Sequence, residues 1–234
     1  MKKFIFLIAI IASMWQVAGA QPVGHEIVWV YKSYGTCAKF TSDDKYIVSN
    51  GSRAQYSDSL LIIETATGNV VRRCYVPSVR NAIRISNNDS LIYCNGDDGY
   101  IYVYNFCDLK LIKKLDKIRG GSDFFDLSKD NKTIVNMLYA PERKYMAVYD
   151  LINDSLILTL NSSGLKPKFF SNDMKLAIAS YTSIFIYDTK TWEVIKETKP
   201  FVGHTTPILD FDISEDETRI VTCAEDGKIG RAHV

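Results

Sequence analysis

Apolar and polar residues alternate in short blocks along this chain, and one arrangement of blocks recurs five times. An apolar run is followed by Ser, then by a polar or acidic pair, and two or three residues later by a second apolar run. The five strings are AKFTSDDKYIVSN, IRISNNDSLIYCN, FDLSKDNKTIVNM, KFFSNDMKLAIAS and FDISEDETRIVTC. Because Asp, Asn and Ser side chains hydrogen-bond to nearby backbone in tight turns, each string predicts a hairpin of two strands.

The strings recur at a regular spacing, and each is followed by two further strand-like runs. The serines that mark the strings lie 42 to 44 residues apart, at Ser42, Ser86, Ser128, Ser171 and Ser214. Runs such as YIYVYNFCDL and SIFIYDTKTW follow, then a polar turn and a last apolar run. β-Branched and aromatic residues dominate these runs, which favours strands, and no segment after Ala20 favours a helix.

A repeat of about 43 residues that holds four short strands is typical of one blade of a β-propeller. The sequence therefore predicts an all-β fold, a β-propeller of four-stranded antiparallel blades. About four and a half blades are present, so we expect the ring to be incomplete, because propellers close with about four to eight blades.

The last unit carries the most detailed motif. It reads VGHTTPILDFDISEDETRIVTCAEDGKI, with a Gly-His pair at 203–204, an apolar strand through Ile208 and Phe211, and Asp226 and Gly227 in the later turn. These features resemble the WD-repeat family, whose closing Trp-Asp pair has counterparts in the other units. The counterparts are Tyr149 with Asp150, Tyr187 with Asp188, Tyr104 with Asn105, and Ile63 with Glu64. The resemblance implies a propeller. The repeat length agrees with the family over most of the chain, whereas the residue motif agrees in detail in one unit only.

The resemblance also implies a structural hydrogen-bond network in the last unit. In the family, a His, a Ser or Thr, an Asp and the Trp of one blade are joined by hydrogen bonds. His204, Thr222 and Asp226 fall on the first three positions, and no residue of this chain falls on the fourth. A catalytic or metal-binding His is the alternative, and it is disfavoured because the unit has no second His at ligand spacing.

The first twenty residues have the pattern of a secretory signal peptide. Lys2 and Lys3 precede an apolar run over residues 4–12, and Ala18 and Ala20 stand at the positions that signal peptidase reads. A membrane-spanning helix is the alternative, but it needs about 20 apolar residues and the run is shorter. We therefore expect cleavage after Ala20, export to the periplasm, cell surface or medium, and no membrane span after cleavage.

The final residues depart from the repeat. The string KIGRAHV stands where a strand of the KIxIWD type should continue, and one set of codons for residues 229–234 reads as the start of a common sequencing adapter. We expect this tail to be non-native and the chain to be a C-terminally truncated fragment. The predicted organisation is a signal peptide at 1–20, WD-repeat-like blades at 21–228 and a non-native tail at 229–234.

The composition and net charge of the chain limit the kinds of ligand that it can be expected to bind. With 28 Lys and Arg against 27 Asp and Glu, the chain has no net basic field that would gather nucleic acid. The five cysteines form no CxxC pair, so we expect no zinc site, and we interpret most of them as small buried hydrophobes, with one disulfide possible in an oxidising compartment.

No motif for catalysis or cofactor binding is found. The sequence has no GxSxG elbow, no HExxH, no Walker loop and no GxGxxG, and paired acids such as those at 43–44 and 97–98 fit solvated turns. We therefore predict no catalytic residue, no metal and no cofactor, and a binding or scaffolding propeller with a protein partner. The alternatives are the propeller portion of an enzyme, such as a hydrolase with catalytic residues in a missing C-terminal part, and a cell-surface module that has lost a sorting region.

Overall fold

The computed structural model describes residues 29–30, 35–51, 59–76, 79–96, 98–116, 124–139, 144–160, 166–198 and 204–233. The predicted signal peptide, including Ala18 and Ala20, and Gly203 lie outside these ranges. Within them every regular element is a β-strand, and no helix there is long and apolar enough to cross a membrane. The strands form five antiparallel sheets, of which four have four strands and the last has three.

The sheets follow one another along the chain as meanders, and we number them blades 1 to 5. Blade 1 has β1 (Ala38–Phe40), β2 (Tyr46–Gly51), β3 (Ser59–Glu64) and β4 (Val70–Tyr75). Blade 2 has β5 (Val79–Ile85), β6 (Leu91–Gly96), β7 (Ile101–Asn105) and β8 (Leu111–Leu115). Blade 3 has β9 (Phe125–Leu127), β10 (Thr133–Tyr139), β11 (Lys144–Asp150) and β12 (Ser155–Leu160). Blade 4 has β13 (Lys166–Phe169), β14 (Lys175–Ser180), β15 (Ser183–Asp188) and β16 (Val194–Thr198), and blade 5 has β17 (Ile208–Ile213), β18 (Arg219–Ala224) and β19 (Ile229–His233).

The predicted all-β chain of four-stranded antiparallel units is confirmed, but the register of two units is corrected by one residue. In every blade one residue closes the first hairpin through its amide, and in blades 1 and 4 this residue is Thr41 or Phe170 rather than Ser42 or Ser171. The other three closing residues are Ser86, Ser128 and Ser214. The Thr41 hydroxyl donates to the side chain two residues later, as those serines do, and the acceptor is Asn88 in blade 2 and an Asp in the other three blades.

The hydrophobic core lies between neighbouring blades, because the second strand of each of blades 1 to 4 buries both of its faces. In blade 1, Ile47 points to one side of the sheet and Val48 to the other, where it packs with Ile92 of blade 2. The same relation recurs along the chain, with Tyr93 beside Ile134, Val135 beside Leu176, and Ala177 beside Ile220. Apolar surface that a single sheet could not hide is thereby removed from water by stacking.

The two ends of this stack differ. The end face of blade 1, with Ile47 and Ile63, is covered by the ring of Trp29, whose Nε1 donates to the Thr65 carbonyl at 2.7 Å. The end face of blade 5 is open, and Ile229 there is 79% exposed. The residues that pair at the same register in the other blades are fully buried, and they are Leu60, Ile101, Met146 and Ile184.

The third strand of blade 5 also differs from the third strands of the other blades in its residue types. Arg231 pairs with Val221 at a register that holds a buried aliphatic residue in each of the other blades. Those residues are Ile62, Val103, Val148 and Ile186. A cation therefore stands where four blades place an apolar side chain, and the non-native origin of residues 229–234 stays a prediction.

Candidate functional site

The structure brings the three predicted network residues together at one end of blade 5. His204 Nε2 lies 2.9 Å from the Thr222 hydroxyl, and His204 Nδ1 lies 3.2 and 3.3 Å from the two Asp226 oxygens. The His204 side chain is only 1% exposed. Both ring nitrogens are engaged inside the protein, and the ring is shielded from solvent.

Asp226 ties two loops of this blade together. Its carboxylate accepts the Thr205 amide at 2.9 Å and the Lys228 amide at 3.0 Å, in addition to the contacts with His204. Burial by itself raises the pKa of Asp226, but these hydrogen bonds outweigh it and hold the pKa below its ordinary value. The network thus acts as a fixed brace between the segment before β17 and the β18–β19 turn.

Blade 2 retains the same acidic position with a different partner. Asp98 precedes Gly99, as Asp226 precedes Gly227, and both glycines have positive φ, at 82° and 71°. Asp98 accepts the Tyr102 hydroxyl at 2.5 Å, and the Lys114 ammonium lies 3.3 Å from the same oxygen. The sequence predicts that this Asp is a solvated turn residue, and in the structure it lies in a turn with its side chain 36% exposed and also accepts the hydrogen bond from Tyr102.

The counterparts of the family's closing Trp-Asp pair lie at the ends of the third strands. Tyr149 is 1% exposed, and its hydroxyl donates to Asp154 at 2.6 Å. Asp150 accepts the amides of Ile152 and Asn153 at 2.7 and 2.9 Å and so caps the following turn. These hydrogen bonds, with that from the Asn153 amide as the largest contribution, lower the pKa of Asp150. The pair is therefore a buried aromatic residue followed by a turn cap.

A row of charged residues lies on the first strands, and sequence analysis missed it. The first strands of successive blades contact one another, β1 with β5, β5 with β9 and β9 with β13, so the sheets converge along these strands. At one shared register each first strand carries a charged residue. We call the five the axial row, and they are Lys39, Arg84, Asp126, Lys168 and Asp212.

Two ion pairs join neighbouring members of the axial row. Arg84 Nε lies 2.5 Å from Asp126 Oδ1, and the Lys168 ammonium pairs with Asp212. Lys166, two residues before Lys168, pairs with Asp210 in the same way. Each of these pairs links one blade to the next, so the charges are held by rigid strands and by one another.

Asp126 is the most enclosed carboxylate of the axial row. Its side chain is 11% exposed, and its second oxygen accepts the Phe169 amide of blade 4 at 2.7 Å. One carboxylate in blade 3 therefore connects blades 2 and 4, which suits a buried charge, because such a charge needs every acceptor site filled.

Lys39 stands apart in the axial row. Water reaches its side chain, yet surrounding protein lowers its pKa, first through burial of the charge and then through the positive charges of Arg84 and Lys168. Asp126 acts in the opposite direction. Within the described residues Lys39 forms no ion pair. Side chains from blades 2, 3 and 4 thus all influence one lysine of blade 1, which shows that the axial row converges on a common space.

A sequence signal for the axial row exists. In four of the five strings a charged residue stands second, between two apolar residues, as in AKF, IRI, FDL and FDI. Blade 4 has the same feature as PKF once its register is corrected. Inner strands of a propeller line its central channel, so a charge repeated at that position indicates channel-lining side chains. Among the described residues, no group of three or more His, Cys, Asp and Glu side chains could hold a metal ion.

Comparisons with known proteins agree with this architecture. Residues 195–229 match the family model of the WD40 repeat, described as WD domain, G-beta repeat. Among solved structures, the chain is similar to the crystal structure of the Cps50 (Swd1) β-propeller domain of Myceliophteria thermophila, with a TM-score of 0.72 and 13% identity, over 88% of this chain and 68% of that one. No curated protein matches the sequence. The structural likeness confirms the predicted β-propeller fold.

Proposed function

Since this chain folds into β-propeller blades and carries a WD40 repeat at residues 195–229, we propose that it is an exported, non-catalytic scaffold that binds a protein partner. WD40 propellers are typical protein-interaction scaffolds. Export is supported by the signal peptide pattern that ends at Ala20. A rigid ring whose loops and channel vary suits recognition, because function lies in sites placed on a fold rather than in the fold itself.

The axial row carries this proposal. Its members are fixed by inter-blade ion pairs, yet some remain accessible, with the Asp212 side chain 67% exposed and the Lys168 side chain 37% exposed. Charges held in place before binding lose little freedom when a partner docks. They also favour partners of complementary charge and exclude others. The burial of His204 supports a non-catalytic role, because its side chain is only 1% exposed and does not face solvent.

Export is tested by the N-terminus of the protein that cells release. The full chain is produced in a secreting host, and the mass of the exported product is measured. We expect a chain that begins at Gln21. An Ala20→Phe variant, which places a bulky side chain where the peptidase needs a small one, should accumulate uncleaved. A product that keeps Met1 and stays in the cytosol contradicts export.

Partner binding is tested by site-specific photo-crosslinking in cells that make the full chain. A photoreactive amino acid replaces Leu209, which lies on the inner strand β17 and is 50% exposed. The matched control replaces Ile112, which lies on the outer strand β8 and is 55% exposed. We expect one saturable protein adduct from position 209, competed by unlabelled chain. Equal adducts from both positions, or none from position 209, contradict a partner that binds along the inner strands beside the axial row.

A further inference from the structure

Resting on the proposed function, we propose that Lys39 is an anion-binding position that takes a carboxylate side chain of the protein partner. The axial row presents this lysine to solvent beside charges that are already committed to one another. The chemical class of the ligand is an acidic peptide segment that inserts one Asp or Glu side chain among the first strands.

The pairing pattern of the axial row leaves Lys39 as the odd member. The two other cations of the axial row each have a carboxylate from the next blade, so Arg84 has Asp126 and Lys168 has Asp212. The axial-row member that the next blade places beside Lys39 is Arg84, a like charge. Local arrangements that depart from the rule followed elsewhere in a fold are expected at functional sites.

The carboxylates near Lys39 are already paired with other cations, and this includes Asp212 of blade 5, which pairs with Lys168 and whose pKa Lys39 also helps to lower. Arg84 donates from Nε to Asp126 and from a terminal nitrogen to the Ile83 carbonyl at 2.9 Å. Both oxygens of Asp126 are occupied, one by Arg84 and one by the Phe169 amide. A carboxylate for Lys39 would therefore have to leave an existing bond or come from a ligand.

The charge balance favours a singly charged ligand. The row and its neighbours hold four cations against three carboxylates, so one positive charge is uncompensated. The cations are Lys39, Arg84, Lys166 and Lys168, and the carboxylates are Asp126, Asp210 and Asp212. One carboxylate neutralises the excess, whereas a doubly charged phosphate would exceed it and meet the exposed carboxylates of Asp210 and Asp212.

The pKa of Lys39 is shifted in the direction expected for a cation that has no bound anion beside it. Burial and the neighbouring positive charges lower the pKa of Lys39. A bound anion compensates those charges and favours the protonated form. Binding should therefore raise the pKa of Lys39 toward its ordinary range, which gives a readout that does not depend on knowing the partner.

The test uses the full chain with isotope-labelled lysine and two blocked peptides, Gly-Ser-Glu-Ser-Gly and the same peptide with Gln for Glu. We expect the Lys39 side-chain resonance to shift saturably with the Glu peptide and its pKa to rise. The Gln peptide should bind about tenfold more weakly or worse, because it lacks the charge. Inorganic phosphate is titrated in parallel.

Variants separate a binding lysine from a structural one. Lys39→Met keeps the length of the side chain and removes its charge, and it should weaken binding of the Glu peptide about tenfold or more. Lys129→Met, which removes an exposed lysine outside the axial row, should leave binding unchanged. Because Lys39 faces like charges, the melting temperature of Lys39→Met should be no lower than that of the parent protein. If Lys39 had a structural role, the melting temperature of the variant would fall.

Three outcomes overturn the inference. They are an unshifted Lys39 resonance with the Glu peptide, a response to phosphate without a response to the Glu peptide, and equal binding by Lys39→Met. The photo-crosslink from position 209 keeps the two proposals apart. If the adduct persists in Lys39→Met, the scaffold function stands and the role of Lys39 fails. If the parent protein gives no adduct, the scaffold function fails.

Discussion

Ser42 in the first hairpin of blade 1 donates to the carboxylate of Asp89 in the first hairpin of blade 2. The amide donates at 2.9 Å and the hydroxyl donates to the same oxygen. Similar clasps follow along the chain, from the Asn87 amide to Asn131, from the Lys129 and Asp130 amides to Asp173, and from Ser171 to Glu217. Every acceptor has a left-handed backbone, with φ between 53° and 62°. The clasp therefore depends on a turn residue that combines positive φ with an acceptor side chain.

We expect Asp89→Gly to destabilise the protein by about 1–2 kcal/mol, because it removes hydrogen bonds to a charged acceptor. Glycine adopts the positive φ of this position without strain, so the loss reports the clasp and not the turn. The measurement is the free energy of unfolding from urea denaturation followed by circular dichroism.

Asp44→Gly is the matched control for this prediction. Asp44 occupies the same turn position in blade 1, with φ 57°, and within the described residues its side chain makes no bond to another blade. Its replacement should change stability by less than about 0.5 kcal/mol. If both glycine variants lose the same free energy, the clasp contributes nothing and the turn alone is responsible.

The period of the sequence was enough to predict the blades, but the clasp was not visible in it. Ser42 was interpreted as a turn marker, and the structure gives that position to Thr41 and makes Ser42 the donor to the next blade. In blade 4 the turn position holds Phe170, and Ser171 is again the cross-blade donor. The presence of a serine does not show whether its hydroxyl bonds within its own hairpin or to the hairpin of the neighbouring blade, because both hydrogen bonds need only a hydroxyl near a turn.

The network in blade 5 and the axial row show a second limit. His204, Thr222 and Asp226 could be placed because a family motif fixes their spacing. The axial row has no such motif within a unit, since a single Lys or Asp between apolar residues fits any half-exposed strand, and its only signal is that a charge recurs at this position in every unit. The charged residues line a common space only because the first strand of each sheet lies nearest the propeller axis. The position of that strand is set by the assembly of five sheets and cannot be read from one sheet.

Gly68 lies against Trp29, and we expect Gly68→Ala to displace that ring. A Cβ at Gly68 would lie 2.6 Å from Trp29 Cδ2, and φ at this glycine is +72°. The loss of stability should be about 1–3 kcal/mol, from backbone strain and from the displaced aromatic contact. In a cleaved chain that also carries Trp192→Phe, the fluorescence of Trp29 should shift to longer wavelength as the ring meets water.

Gly227→Ala separates the two contributions. Gly227 has nearly the same φ, +71°, but a Cβ there meets nothing within 4 Å. Its replacement should show only the strain of the left-handed conformation, on the order of 1 kcal/mol, and should leave Trp29 fluorescence unchanged. Equal losses at the two glycines would mean that Trp29 does not seal the end face of blade 1.

The brace around Asp226 should be sensitive to acid. The pKa of Asp226 is lowered in the folded protein, so its charge stabilises the fold above its ordinary pKa, and this contribution is lost as the pH falls through the lowered value. Asp226→Asn should therefore be less stable than the parent at pH 7, and the difference should shrink at pH 3 and below.

Urea denaturation at several pH values measures that difference, with Glu225→Gln as the control. Glu225 is the exposed neighbour of Asp226, and its replacement should not alter the dependence on pH. A difference between Asp226→Asn and the parent that stays constant from pH 7 to pH 3 would assign the effect to side-chain packing and not to the carboxylate charge.

The open face of blade 5 predicts a contrast between two isoleucines at one register. Ile184 is 0% exposed and Ile229 is 79% exposed, although each pairs with its second strand in the same way. Threonine keeps the β-branch, so Ile184→Thr should cost at least about 2 kcal/mol, through lost apolar contact and a buried hydroxyl. Ile229→Thr should change stability by less than about 0.5 kcal/mol.

Ile229→Thr should also lower self-association of the protein, because exposed apolar side chains on an open sheet face favour contact between copies. Light scattering of the parent and of Ile229→Thr over a range of protein concentrations measures this effect, with Ile195→Thr on the outer strand of blade 4 as the control. Ile195 is 53% exposed but lies on an outer strand rather than on the end face. If Ile229→Thr destabilises the dilute chain as much as Ile184→Thr does, the end face of blade 5 is covered in solution.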